Sequence, residues 1–167
     1  MPDLTPIETR YKEILFRSRI EARWALFYDK IKVSWQYEAE GYDLNGTKYL
    51  PDFWMPQQDC FIEIKGAYPT IKEQCKVSLL SQLSGKQAFI FGPLPTIARY
   101  GMIGPSDGEW DSLAFFPKGA GDSGYLWCSN NFTGYYRIIK SDRIIPDYNS
   151  VTDELVYAYN AARSARF

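Results

Sequence analysis

Leu50-Pro51-Asp52-Phe53-Trp54, followed after six residues by Phe61-Ile62-Glu63-Ile64-Lys65, is the stretch that decides the architecture of this chain. Side chains alternate across a strand, so Leu50, Asp52 and Trp54 share one face. In the second segment Phe61, Glu63 and Lys65 share a face, with Ile62 and Ile64 opposite. Charges alternating with isoleucines in a short strand are costly unless they are paired or used. Only the turn Pro56-Gln57-Gln58-Asp59 lies between Met55 and Cys60. The two segments should therefore be hairpin neighbours about 4.8 Å apart, bringing Asp52 and Glu63 together.

Outward from this pair the pattern predicts a layered α/β domain. Ile20, Trp24, Phe27 and Ile31 recur at helical spacing, so a helix is expected over 18–32, opening with a capping box at Ser18-Arg19-Ile20-Glu21. Strands are expected over 33–38, 48–55 and 60–65, with a hairpin signal at Asn45-Gly46. A second helix, capped by Thr70-Ile71-Lys72-Glu73, should cover 70–83, followed by a strand over 86–91. The order is helix, strand, strand, strand, helix, strand, which a sheet with packed helices accommodates. The first seven residues read as a loose tail. Residues 93–148 are broken by glycines and prolines and read as an irregular β-rich appendage, with short strands at 112–116, 125–128 and 135–139. A terminal helix is expected over 152–166, with Leu155, Tyr159 and Ala162 on one side. All of this fits one domain of 167 residues, its core over about 17–92.

Composition narrows the chemistry. The chain carries 19 basic and 20 acidic residues and no histidine. Ser-His-Asp catalysis, Cys-His catalysis and His-ligated zinc are thereby excluded. Cys60, Cys75 and Cys128 are an odd set without a paired spacing, so neither a disulfide framework nor a zinc site is expected. No apolar run approaches a membrane span, and no signal-peptide pattern precedes the charged segment at 8–13. A cytoplasmic location is the expectation. A net charge of −1 means that any nucleic-acid binding must come from local clustering of Lys and Arg.

Two neighbouring carboxylates suit one hard cation. Magnesium takes oxygen ligands and usually only one or two carboxylates, so Asp52 and Glu63, with the backbone carbonyl of Ile64, form a candidate site. Lys65 would stand beside it and steady charge on a phosphate.

Pro51-Asp52, a ten-residue gap and then Glu63-Ile64-Lys65 resembles the PD-(D/E)xK motif of the restriction-endonuclease-like nucleases. The order of elements matches that family's αβββαβ core. The resemblance implies a magnesium-dependent nuclease acting on DNA, with manganese able to substitute, and catalysis by Asp52, Glu63 and Lys65. It also implies a metal-site role for Glu21 on the first helix and backbone contacts from Lys72, Gln74 and Lys76 on the second. More narrowly, Ser18-Arg19-Ile20-Glu21-Ala22-Arg23-Trp24, Tyr49-Leu50-Pro51-Asp52-Phe53-Trp54 and the C-terminal Ala162-Arg163-Ser164-Ala165-Arg166-Phe167 look like segments of a group of phage and bacterial proteins. That implies a phage or mobile-element source. RNA in place of DNA and a homodimer both stay open. The competing reading is a non-catalytic nucleic-acid-binding or accessory protein on the same fold; for Asp52, Glu63 and Lys65 themselves the structural alternative is a cross-strand salt bridge on a solvated sheet face.

Overall fold

The computed structural model describes residues 5–94, 96–97, 103–104, 112–117 and 153–167. The expected strands at 125–128 and 135–139, and Cys128, lie outside these residues.

Helix α1 runs Arg19–Lys30 and buries Ala22, Trp24, Ala25, Phe27 and Tyr28 along one side. It opens on Ser18, whose side chain accepts a hydrogen bond from the N–H of Glu21. Helix α2 runs Ile71–Ser84 from a complete capping box between Thr70 and Glu73. It ends where Gly85 adopts φ +71°, a left-handed conformation that glycine takes without a Cβ clash. The C-terminal helix α3 covers Asp153–Ser164, close to the expected span.

Strand β1 (Thr9–Tyr11) pairs with β2 (Ile14–Phe16) through a turn in which Lys12 and Glu13 both have positive φ. Sequence reading missed this hairpin. Its turn has the primed geometry without the Asn-Gly or Asp-Gly pair that signals it. Strand β3 is short, Gln36–Tyr37. Strands β4 (Tyr42–Leu44) and β5 (Thr47–Tyr49) form the hairpin expected at Asn45-Gly46. The strand expected over 48–55 is therefore split. Its first part belongs to this hairpin, and the chain joins the main sheet only as β6, Phe53–Met55. Pro51, which has no N–H to give a ladder, sits at the break.

The main sheet is five-stranded and mixed, in the order β11 (Ser112–Phe115), β8 (Gln87–Phe91), β7 (Cys60–Ile64), β6, β3. Strand β7 (Cys60–Ile64) is antiparallel to β6 and parallel to β8 (Gln87–Phe91), with α2 as the crossover. Strands β9 (Thr96–Ile97) and β10 (Ile103–Gly104) form a separate short pair. Strand β11 (Ser112–Phe115), expected in the appendage, is instead the fifth strand of the main sheet, antiparallel to β8.

Alternation along the central strands divides the core in two. Ile62, Ile64, Phe89 and Phe91 face α1 and α3, where Phe27 stacks on Tyr159 at 4.4 Å. Phe61, Ala88 and Ile90 face the other way, against Val77 and Leu80 of α2 and Leu44 of β4. The result is helix, sheet, helix, with the sheet buried on both faces. Phe27, with no exposed surface, is a keystone of the first layer. Its truncation to alanine should cost about 3–5 kcal/mol.

Candidate active site

The register of β6 and β7 pairs Phe53 with Ile62, and one step further sets Asp52 opposite Glu63. This is the end of the pair from which the chain leaves β7 towards Lys65. The first turn of α1 reaches the same place. Asp52, Glu63, Lys65 and Glu21 together line one pocket of about 530 Å³, with Arg17 and Arg19 at its side. The four residues proposed as catalytic from the sequence are thus brought together, and Ile64 lines the pocket with them.

Asp52 is 2% exposed. Its Oδ2 accepts the backbone N–H of Ile64 at 2.7 Å, and its Oδ1 receives the Arg17 guanidinium at 2.7 Å. Burial pushes its carboxyl well above the usual aspartate range, and repulsion from Glu63 and Glu21 adds to the shift. The Ile64 N–H and Arg17 pull the other way without offsetting it.

Glu63, also buried, is held by different partners. The Tyr49 hydroxyl donates to its Oε2 at 2.7 Å, and Lys65 Nζ lies 3.1 Å from its Oε1. The Lys65 ammonium stands 3.3 Å from Glu73, the capping residue of α2. Burial alone would lower the Lys65 pKa, but Glu63 and Glu73 outweigh it and raise it, so the side chain is a cation at neutral pH. Burial, then Glu63, drives the Tyr49 phenol far upward, so it remains a donor.

Glu21 departs from the expected cap. Instead of closing the reciprocal bond to the Ser18 backbone, its carboxylate accepts the Ser18 hydroxyl at 2.6 Å and the Tyr37 hydroxyl at 2.5 Å. It is 7% exposed and faces the pocket. Tyr37 in turn accepts the backbone N–H of Arg17. Lys72, Gln74 and Lys76 are not part of the pocket lining. Gln74 donates to the Pro69 carbonyl at 2.9 Å and thereby holds the loop before α2, while Lys72 is exposed.

Arg17, Tyr37, Tyr49 and Glu73 are the pocket partners that sequence reading missed. Arg17 precedes the helix cap and carries no motif; only the β1–β2 hairpin and the first turn of α1 direct it to Asp52.

The donor set fits a hard divalent cation. Burial first, and then repulsion from Glu63 and Glu21, raise the Asp52 carboxyl, and an added positive charge would relieve both. Among the described residues no three His, Cys, Asp or Glu side chains form a ready-made metal cluster. A cation here would thus depend on water and phosphate oxygens beyond Asp52 and Glu63, as magnesium commonly does. Comparison of the chain with protein-family models, with curated proteins and with solved structures returned no match. No helix among the described residues is long and apolar enough to cross a membrane.

Proposed function

We propose that this protein is a magnesium-dependent nuclease of the restriction-endonuclease-like class that hydrolyses DNA phosphodiester bonds. The observation that carries the reading is the meeting of Asp52, Glu63, Lys65 and Glu21 in one pocket, with Asp52 buried and crowded by like charge. Asp52 and Glu63 would hold the cation, with the Ile64 carbonyl as a further oxygen and Glu21 behind them. Magnesium, when bound, supplies the charge that neutralises the phosphate and activates water. Lys65, kept cationic by Glu63 and Glu73, offers its ammonium to a phosphate oxygen as negative charge builds on it. Tyr49 and the Ile64 N–H fix the orientation of the two carboxylates, so little reorganisation is required. A nucleic acid suits this pocket better than a neutral substrate, because a cation between carboxylate and phosphate satisfies both anions.

A second reading has its own support. Each oxygen of Asp52 and Glu63 already receives a hydrogen bond or a cation from the protein. The set could serve as a structural ion-pair network in a binding or accessory protein. Labelled single-stranded, duplex and branched DNA, and RNA, incubated with magnesium, manganese or chelator, separate the two. Cleavage only with a divalent cation supports the nuclease; binding without cleavage on every substrate supports the accessory protein.

A further inference from the structure

The carboxylate pocket leaves unexplained a group of arginines on α1 and α3. Arg19 is exposed and lines the pocket beside Asp52 and Glu63. Arg23 follows four positions later, so the two project from the same side of α1, about 6 Å apart along its axis. Arg23 is half-buried. Its Nη2 lies 3.5 Å from the carbonyl of Ala165, just past the end of α3. Its buried Nε has no hydrogen-bond partner among the described residues. Arg163, in the last turn of α3, donates to the carbonyl of Leu94. The Phe27–Tyr159 stack seats α3 on α1, so the meeting of these arginines is set by core packing rather than by loose surface chain.

Arg19 and Arg163 are both near enough to act on Arg23. Burial first, then Arg19 and Arg163, lower the pKa of the Arg23 guanidinium. Among the described residues neither Arg19 nor Arg23 forms an ion pair with a carboxylate, although acidic residues outnumber basic ones in the chain, 20 to 19. Elsewhere Arg17, Lys48, Lys65 and Lys86 all find such partners. Arg19 and Arg23, on one side of α1 and without a carboxylate partner among the described residues, repel each other, and a polyanion relieves that repulsion. Their planar forks match phosphate oxygens two at a time.

We propose that Arg19, Arg23 and Arg163 form a phosphate-binding track that leads a nucleic-acid backbone from the end of α3 along α1 to the pocket of Asp52 and Glu63. This rests on the nuclease reading and names the surface by which that site takes its substrate. It also places the main electrostatic contact on α1 and α3 rather than on Lys72 and Lys76 of α2.

The test is the salt dependence of DNA affinity, measured in chelator so that nothing is cut, for the parent, Arg19→Gln and the Arg19→Gln/Arg23→Gln double variant. Lys30→Gln/Lys32→Gln serves as the control, removing the same charge from the far end of α1. Each lost contact to duplex DNA should lower the slope of log affinity against log salt by about 0.9, which at about 0.1 M salt is roughly eightfold in affinity. The control should retain the parent slope. If Arg23→Gln does not fold, the exposed Arg19→Gln variant alone carries the expected single step. A parent that binds and cuts DNA, with unchanged slopes in the arginine variants, overturns the track and leaves the nuclease standing. A parent that neither binds nor cuts any nucleic acid removes both. Unchanged DNA affinity with lost binding to phosphatidylserine vesicles would assign the arginines to a membrane surface instead.

Discussion

The two sides of the pocket hold their carboxylates in different ways. Asp52 is tied to α1: Arg17 grips it, and Tyr37 links the Arg17 backbone to Glu21. Glu63 is tied to α2: Lys65 grips it, and Glu73 links Lys65 to the Thr70 cap. The cations differ too. Both are shared, Arg17 between Asp52 and Glu38 and Lys65 between Glu63 and Glu73, but the Arg17 side chain is 55% exposed and that of Lys65 29%. The pocket thus holds one cation nearer the interior and one nearer solvent. On the nuclease reading proposed above, the first would face phosphate and the second would serve as the counter-ion of Asp52.

The largest effect should fall on the less exposed cation and on the buried aspartate. Lys65→Ala and Asp52→Asn should each reduce cleavage by about 10²–10³-fold or more, measured in single turnover, with the fold retained by circular dichroism. Similar rates for parent and Lys65→Ala would break the comparison at once.

Glu21→Gln comes next. The amide can still accept one hydroxyl and donate towards the other, so melting should be unchanged, while cleavage slows by roughly tenfold or more and recovers in part at high metal concentration. Full activity would reduce Glu21 to a support for Ser18 and Tyr37.

Arg17→Gln probes the more exposed cation. It leaves the buried Asp52 without its guanidinium, and the exposure of Arg17 keeps the cost near the low end, about 1 kcal/mol. Thermal melts should show that loss in the parent background and little of it beside Asp52→Asn. Equal losses in both would mean that Arg17 acts through Glu38 alone.

A pH series in chelator sharpens the same point. Asp52 has a folded pKa raised above its unfolded value near 3.9, so its contribution favours the folded state fully below that value and is lost as pH rises through the folded pKa. Relative to Asp52→Asn, which cannot titrate, the parent should lose stability across that window as pH rises. Parallel curves would deny that burial, with Glu63 and Glu21 beside it, raises the Asp52 carboxyl. The smallest effect belongs to Glu73→Gln, which keeps the Thr70 cap and removes one exposed partner of Lys65. It should change rate by no more than about threefold and stability by less than about 0.5 kcal/mol.

Much of the frame was legible in the sequence because it rests on local pattern. The period of Ile20, Trp24, Phe27 and Ile31 located α1, the Thr70–Glu73 box located α2, and the alternation in 60–65 set Glu63 against Asp52. What stayed hidden depends on residues far apart. Nothing in Lys12-Glu13 announces a turn, yet the hairpin it closes carries the chain to Arg17. The Ser18–Glu21 spacing promised a complete cap, but Tyr37, sixteen positions away, takes half of it. Tyr49 reaches Glu63 only because Pro51 breaks the strand and folds β5 over the sheet. The arginines of α1 and α3 meet across 140 residues of chain, a relation that no window of sequence contains.

The most direct test is the rate of DNA cleavage by the parent and Asp52→Asn, side by side, as magnesium and then manganese are titrated from chelator to saturation. Saturable, metal-dependent cleavage is expected in the parent, with no comparable rise in the variant. Cleavage that persists in chelator, or rises equally in both proteins, would contradict a cation held by Asp52 and Glu63.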